Sequence, residues 1–261
     1  MGNTFKKVEV LVATMYQSDY TLLDKMNIQT DAVVINQCNQ TSYFELKYRD
    51  HIIKWINTCQ RGLSKSRNMA LSYATGDICL IADEDISYVN GYETIVQKCF
   101  NYQNKADIVA FNINKLNSED RDNRAPNKNR KAPFYRYYGS VRLAFRRNSI
   151  VKNGLHFNEL IGAGTKYGSG EDSLFLRESR KKGLKIYENS RCLSTVDYAN
   201  SSWFTGYDES YYFGKGVFLA AAYGRLAKLY MFYFVLKKHG SLTRKSIKKN
   251  ILRGIKEYKR I

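Results

Sequence analysis

Apolar runs of strand length recur along the first two thirds of the chain, and segments with helical spacing separate several of them. The first two runs are Val8–Thr14 and Asp31–Gln37, and a short helical segment, Thr21–Asn27, lies between them. A third run, His51–Thr58, is apolar and partly β-branched. A strand, a helix and a second strand in this order are typical of a βαβ unit, so the pattern predicts an α/β fold with a largely parallel sheet.

The pattern continues with a helix, a buried strand and another helix. Apolar spacing over Ser64–Ala74 predicts a helix with Ser64 as its cap, and Thr75–Asp77 is expected to end it. The apolar run Ile78–Ala82 predicts one buried strand, which ends abruptly in three acidic residues. Tyr92–Asn101 is expected to form the next helix.

Further strands and a long polar loop follow. Three further strands are expected, at Asp107–Asn114, Arg142–Phe145 and Leu184–Tyr187. Asn117–Pro133 is polar and basic and holds both prolines of the chain, so it is expected to be a long loop that is mobile until a partner binds it. A glycine-rich stretch, Gly162–Asp172, precedes a helix of about ten residues.

The C-terminal part of the chain is predicted to be helical, aromatic and basic. Val217–Leu236 is mostly apolar, with Arg225 and Lys228 in its middle. Because charges at the centre of a membrane span are costly, this segment is not expected to cross a bilayer. Two interpretations stay open: an interfacial helix followed by a polybasic tail, or a helix packed on the core with a solvated basic end.

Composition places the chain among globular proteins. It has 261 residues, of which 44% are hydrophobic, enough for one large domain or one domain with an appendage. The five cysteines are odd in number and widely spaced, which argues against a zinc site and a disulfide framework. Reduced thiols in the cytoplasm are expected. No apolar signal core precedes the first predicted strand, so secretion is not expected.

The net charge of +18 is concentrated in two segments. Residues 237–261 carry +9 and residues 120–152 carry +8, which leaves about +1 for the rest of the chain. Such an uneven distribution suggests a surface that binds an anionic partner: a membrane, a phosphorylated lipid or a nucleic acid. No helix-turn-helix, zinc-finger or RNA-binding pattern is present, so nucleic acid is not the expected partner.

Asp83 and Asp85 form an Asp-x-Asp pair at the carboxyl end of the predicted buried strand. In open α/β sheets, ligands bind at that end of the strands. Two carboxylates at this spacing can hold a hard divalent cation, which in turn can bridge a diphosphate. A solvated acidic turn is the alternative. Glu84, which lies between the two, is expected to be solvated rather than a further metal ligand.

Three sequence blocks in order resemble family 2 glycosyltransferases of the GT-A fold, of the bacterial polysaccharide-building kind. They are the helix block Arg61–Asp77, the Asp-x-Asp block Ile78–Tyr88 and the Glu-Asp block Gly168–Tyr187. The resemblance implies an α/β fold with a Rossmann-like, mixed, mostly parallel sheet flanked by helices. It also implies two domains, a GT-A nucleotide-sugar transferase domain (1–206) and a C-terminal aromatic, basic, helical extension (207–261).

The resemblance implies a metal-dependent inverting glycosyltransferase. Asp85 and Asp83 are expected to hold Mn²⁺ or Mg²⁺ against the diphosphate of a nucleotide-sugar donor, with Asp197 as a weaker third candidate. Asp172 matches the general base, and Glu171 is its rival. Acidic residues in a first helical turn also complement the helix dipole, which is the plain alternative for this pair.

Further residues match positions near the donor or the acceptor of this family. The matches near the donor, besides the carboxylates already named, are Thr14, Gln37, Arg67, Asn68, Ala82 and Glu84. A Gln or Asn amide can pair with uracil, so a UDP-sugar is the expected donor. Gly170 and Trp203 match the acceptor side, although Trp203 equally suits helix packing.

Several functional interpretations follow from these observations. The leading one is transfer of a sugar to a hydroxyl of a growing surface glycan or a lipid-linked oligosaccharide. The residues after the first two predicted strands depart from the family's usual ones, so a glycosyltransferase-like scaffold without catalysis is an alternative, and a basic polyanion-binding protein is a further one. The protein is expected in the cytoplasm or peripherally on the inner face of a bacterial cell membrane, and its oligomeric state is left open.

Overall fold

The computed structural model describes residues 6–116, 126–197 and 206–260. These residues form two compact units. The described residues of the first unit are 6–61, 65–116, 126–156 and 178–197, and those of the second are 62–64, 157–177 and 206–260. The second unit thus combines the C-terminal extension with two segments that precede it in the sequence.

Strands and helices alternate through most of the chain, and the C-terminal part is helical. In chain order the elements are β1 Val8–Met15, α1 Leu22–Lys25, β2 Asp31–Gln37, β3 Ser42–Tyr48, β4 His51–Thr58, α2 Leu63–Tyr73, β5 Ile78–Asp83, β6 Ile86–Tyr88, α3 Tyr92–Tyr102, β7 Ile108–Lys115, β8 Arg130–Lys131, β9 Leu143–Arg146, α4 Arg147–Lys152, α5 Glu171–Lys181, β10 Ile186–Val196, α6 Glu209–Tyr223, α7 Ala227–Lys237 and α8 Arg244–Tyr258.

The strands of the described residues form one mixed sheet in the first unit. Its order is β3-β4-β2-β1-β5-β9-β7-β10-β6, and β8 pairs with β10. Strands β4, β2, β1 and β5 are parallel, as are β7 and β10, while the remaining pairs are antiparallel. Most residues of β1, β2 and β5 are buried, as expected for parallel strands that helices cover on both faces.

The chain changes direction across the sheet beside β1. From β1 it proceeds to β2 on one side, and after β4 it returns through α2 to β5 on the other side of β1. The carboxyl ends of β1, β2 and β5 meet at this switch point, because Met15 lies opposite Gln37 and Ala13 opposite Asp83. This is the edge at which open α/β sheets bind ligands.

Several predicted elements differ from those observed. Strand β3 was not predicted, and β10 extends to Val196 rather than ending at Tyr187. Strand β8 lies within the predicted loop of residues 117–133. Ser64 is not the cap of α2, because the helix begins at Leu63 and the Ser64 hydroxyl donates to the Ile161 carbonyl at 3.4 Å.

In the second unit, α6 and α8 pack with almost no space between their backbones. A Cβ atom built on Gly216 would lie 2.2 Å from the Ile251 carbonyl oxygen, and one on Gly254 would lie 2.1 Å from that of Phe213. Only glycine permits this approach. The apolar core around this contact includes Tyr212, Leu219, Ile247, Ile251 and Ile255.

The predicted single helix over residues 217–236 is wrong. A 3₁₀ turn at Gly224–Leu226 divides it, and Gly224 has a φ of +52°, which favours glycine. The first part belongs to α6 and is largely buried, whereas the second part forms α7. Among the described helices, none is long and apolar enough to cross a membrane.

Candidate active site

Glu84 links the carboxyl ends of β1 and β5. Its Oε2 accepts hydrogen bonds from the Thr14 hydroxyl, from the Met15 N–H at 3.1 Å and from the Gln17 side-chain amide at 3.2 Å. The residue is exposed, but its carboxylate is not simply solvated as the sequence led us to expect. Glu84 therefore fixes the turn that contains the Asp-x-Asp pair relative to the end of β1.

Asn36 fixes the segment that follows β1. Its Nδ2 donates to the Gln17 carbonyl at 2.9 Å and to Asn57 Oδ1 at 2.8 Å, and its Oδ1 accepts from the Gln17 N–H at 3.0 Å. The sequence did not predict this role for Asn36, whose amide was considered only for pairing with uracil. Next to it, Gln37 is buried, and its carbonyl accepts from the Tyr16 N–H at 3.1 Å.

An exposed aromatic ring and a fixed cation lie beside these strand ends. Tyr16 is exposed and has a φ of +52°, and the Arg61 guanidinium carbon is 5.4 Å from the centroid of its ring. Arg61 is held by the Cys38 carbonyl at 2.9 Å and by Asn39 Oδ1 at 2.7 Å. Neither Tyr16 nor Arg61 was predicted as a site residue. A flat ring of this kind can stack on a planar ligand.

Arg67 forms a buried ion pair with the first aspartate of the Asp-x-Asp pair. Its side chain is 2% exposed, and its Nη2 lies 3.0 Å from each carboxylate oxygen of Asp83. The pairing holds Asp83 in one orientation and offsets its charge. Asn68 follows Arg67 in α2 and is partly buried. Ala82 is fully buried in the core, and its predicted contact with the donor stays a prediction.

Asp85 has an unsatisfied buried oxygen. Its Oδ1 is buried, and among the described residues it has no hydrogen-bond partner. The pKa of Asp85 is raised to about 6. Burial is the largest cause, and the nearby carboxylates of Asp83, Glu84 and Asp197 add to it. Asp197 is close because β10 pairs antiparallel with β6, and its N–H donates to the Asp85 carbonyl at 3.0 Å. Several carboxylates are therefore crowded at one point.

The crowded carboxylates fit a divalent cation that takes some of its ligands from the protein and the others from a phosphate. No group of three or more His, Cys, Asp or Glu residues forms a ready metal cluster within the described ranges. Mg²⁺, however, is commonly bound by one or two carboxylates and by substrate phosphates rather than by a full protein cage. The buried oxygen of Asp85 is an acceptor that such a cation would satisfy.

The Glu-Asp pair of the second unit begins α5, and its two members have different surroundings. Glu171 is buried, and its Oε2 accepts from the Gly170 N–H at 2.9 Å. A Cβ atom on Gly162, whose φ is +140°, would lie 3.1 Å from the Glu171 Cδ. Glu171 is therefore packed into its own glycine-rich loop, whereas the neighbouring Asp172 is partly exposed.

Close packing explains the glycine at position 170. Gly170 has a φ of +137°, and a Cβ atom there would lie 2.6 Å from Cδ2 of Phe218 in α6. Its predicted contact with an acceptor therefore stays a prediction, since packing alone requires the glycine. Trp203, the other residue matched to the acceptor, lies outside the described residues.

The first unit brings together most of the predicted donor and metal residues at one edge of the sheet. These are Thr14, Gln37, Arg67, Asp83, Glu84, Asp85 and Asp197. Gly170, Glu171 and Asp172 belong to the second unit. Their individual roles toward a donor, a metal or an acceptor remain predictions.

Solved structures of TarS from S. aureus match the chain over nearly its whole length. TarS residues 1–349 align with a TM-score of 0.60 and 15% identity, covering 97% of this chain and 73% of TarS 1–349. The chain has the GT-A fold. The complex of TarS 1–349 with UDP-GlcNAc aligns with a TM-score of 0.61 and 16% identity, over 97% of this chain and 71% of that one.

A third TarS structure, the 1–349 complex with UDP, gives a TM-score of 0.60 at 14% identity and covers 98% of this chain and 72% of its own. No protein-family model matches the sequence, and no curated protein matches it significantly. The prediction of a mixed sheet flanked by helices, with a helical C-terminal part, is therefore confirmed.

Proposed function

We propose that this GT-A protein is a glycosyltransferase that moves a sugar from a UDP-sugar to a hydroxyl group of a glycan or a lipid-linked oligosaccharide. One observation carries the proposal: at the switch point of the sheet, Asp83 and Asp85 crowd together, and a buried oxygen of Asp85 is left without a hydrogen-bond donor among the described residues. The similarity in fold to TarS, which has been solved with UDP-GlcNAc and with UDP, supports a UDP-linked donor.

The donor is assigned to the carboxyl ends of β1, β2 and β5. In the proposal, the uracil is recognised near Thr14 and Gln37 and stacks on the exposed ring of Tyr16. Arg61, which backbone and side-chain oxygens hold in place, supplies positive charge beside that ring. Asn68 is assigned to the sugar or the diphosphate because it matches a family position near them.

Asp85 and Asp83 would hold the metal ion, Mn²⁺ or Mg²⁺, and Asp197 is the further candidate ligand. When bound, the ion would neutralise the negative charge that develops on the departing nucleoside diphosphate. Other residues of the chain hold these carboxylates in position. Arg67 fixes the orientation of Asp83 through contacts of 3.0 Å to both oxygens, and Glu84 anchors the turn between the two aspartates to the end of β1.

Asp172 is proposed as the general base of an inverting transfer. Its carboxylate accepts the proton of the acceptor hydroxyl while that oxygen attacks the anomeric carbon and the bond to the UDP oxygen breaks. The products are a glycoside of opposite anomeric configuration and UDP. Glu171 is less suited to this role, because its carboxylate already accepts from the Gly170 N–H and is buried in the loop.

The test of the proposal is release of UDP from a panel of UDP-sugars with Mn²⁺ and glycan acceptors. We expect Asp172→Asn to lower the turnover rate at least about 100-fold while UDP binding is retained, because only the proton acceptor is lost. Glu178→Gln is the matched control: it lies on the same helix, is half-buried and forms an ion pair with Lys181, so it should leave turnover unchanged.

Two results would contradict the proposal. Binding of UDP without release from any UDP-sugar would favour the scaffold interpretation. Full turnover by Asp172→Asn would remove this residue as the base, and retention of the donor's anomeric configuration in the product, measured by NMR, would rule out inversion.

A further inference from the structure

The outer surface of α7 is strongly apolar. Leu229, Phe232, Tyr233 and Leu236 are exposed by 66%, 51%, 52% and 70%, respectively. These residues are separated by three, one and three positions, so they share one face of the helix. We call this set the α7 stripe. Large apolar side chains that are contiguous and exposed mark an interaction surface more often than a solvated one.

The opposite face of α7 is already used for packing within the second unit. Ala227 and Met231 are buried in the same core cluster as α6 and α8, and Phe234 and Val235 pack against that cluster while partly exposed. Burial of this inner face therefore accounts for the folding of α7. It does not account for the α7 stripe, which adds apolar residues where solvent exposure should favour polar ones.

Lysine side chains lie beside the α7 stripe. Residues 210–256 contain eleven Lys or Arg residues and no Asp or Glu. Lys237 Nζ lies 5.1 Å from the centre of the Tyr233 ring, and Lys248 Nζ of α8 lies 5.9 Å from that of Phe232. An apolar face bordered by lysines matches the boundary between the acyl chains and the anionic headgroups of a bilayer.

We infer that α7 is an interfacial helix that places its stripe in an anionic lipid bilayer, with the lysines of α8 beside the lipid phosphates. An eleven-residue helix is about 16 Å long and lies along the surface rather than across it. Nucleic acid would offer the exposed leucines no apolar partner. A second copy of this surface would bring like charges together. The inference needs no transferase activity.

Vesicle co-sedimentation of the full chain tests this inference. The vesicles consist of phosphatidylcholine alone or of phosphatidylcholine with phosphatidylglycerol. We expect binding to the anionic vesicles only, and weaker binding at high salt. Leu229→Gln combined with Leu236→Gln should weaken binding about tenfold or more, and so should the triple change of Lys245, Lys248 and Lys249 to Gln.

Control variants separate this surface from general effects of charge and hydrophobicity. Changing Lys47, Lys98 and Lys105 of the first unit to Gln removes the same charge from exposed positions, and Tyr102→Gln removes an aromatic side chain that is even more exposed. Both controls should retain vesicle binding. Circular dichroism and thermal unfolding check that every variant is folded.

Three results would overturn the inference. The first is the absence of binding of the native chain to anionic vesicles, and the second is equal binding by the leucine variant. The third comes from light scattering: if the native chain is an oligomer that the leucine variant dissociates, and neither binds vesicles, the α7 stripe is an interface between copies of this chain.

Discussion

At the scale of single residues, the carboxylate of Asp85 costs the fold stability, whereas its two acidic neighbours have partners. Asp83 has a partner in Arg67, and Glu84 accepts three hydrogen bonds, but Asp85 is partly buried among like charges. A chain selected for stability alone would not keep such a group. Residues with this kind of unfavourable environment are characteristic of functional sites, because a ligand relieves the cost.

Asp85→Asn should therefore make the ligand-free protein more stable. The amide keeps the size of the side chain and removes its negative charge from the neighbourhood of Asp83, Glu84 and Asp197. After discounting for solvent screening of a group that is only partly buried, we expect a gain of ~1 kcal/mol in the free energy of unfolding. Thermal unfolding without nucleotide or metal measures this. The exposed Asp50→Asn is the control and should change nothing, whereas a loss of stability in Asp85→Asn would contradict the electrostatic account.

At the scale of elements, β10 holds several parts of the first unit in place. Its pairing with β6 brings Asp197 to Asp85, and its residue Glu188 organises the segment around β8. Glu188 is fully buried and bonds to Arg130 Nε at 2.8 Å, to Arg136 at 2.5 Å and to the Tyr138 hydroxyl at 2.5 Å. Burial alone would raise the pKa of Glu188, but these partners hold it below its usual value.

Glu188→Gln should destabilise the protein by about 3 kcal/mol at neutral pH, because two arginines lose a buried partner. A carboxyl group with a lowered pKa in the folded state contributes its stability above the unfolded pKa, and the contribution is lost as pH falls through the folded value. The difference between native protein and variant should thus be constant above about pH 4.5 and shrink below it. Urea unfolding at several pH values measures it. The half-buried Glu178→Gln, which loses an ion pair with Lys181, is the control, and a difference that does not depend on pH would contradict the prediction.

The strands that the sequence predicted well are those that contain several buried apolar residues. Strands β2 and β4 have the predicted bounds, and β1 and β5 each extend one residue further than expected. Strand β3 lies at the edge of the sheet and is partly exposed, so it has no apolar run to reveal it. Strand β10 was predicted too short because polar residues interrupt it after Tyr187, including the buried Glu188.

At the scale of the whole molecule, the fold was predictable because three blocks in sequence order resemble a known family. The details of the candidate site were not, since they depend on residues far apart in the sequence. The ion pair of Arg67 with Asp83, the hydrogen bonds of Glu84 to β1 and the approach of Asp197 to Asp85 all come from strand and helix packing. The two basic segments were evident from charge alone, but only the structure reveals the exposed stripe on α7.

Thermal unfolding with UDP, with and without Mn²⁺, on the native chain and on Asp85→Asn tests the central claim most directly. A ligand that binds only the folded state stabilises it, by about 2.7 kcal/mol at a concentration 100 times its Kd. We predict that UDP with Mn²⁺ raises the unfolding temperature of the native chain, that UDP alone does so much less, and that Asp85→Asn loses the metal-dependent part. Equal stabilisation of both proteins, or none of the native chain by UDP with Mn²⁺, would contradict a metal-assisted nucleotide site at the end of β5.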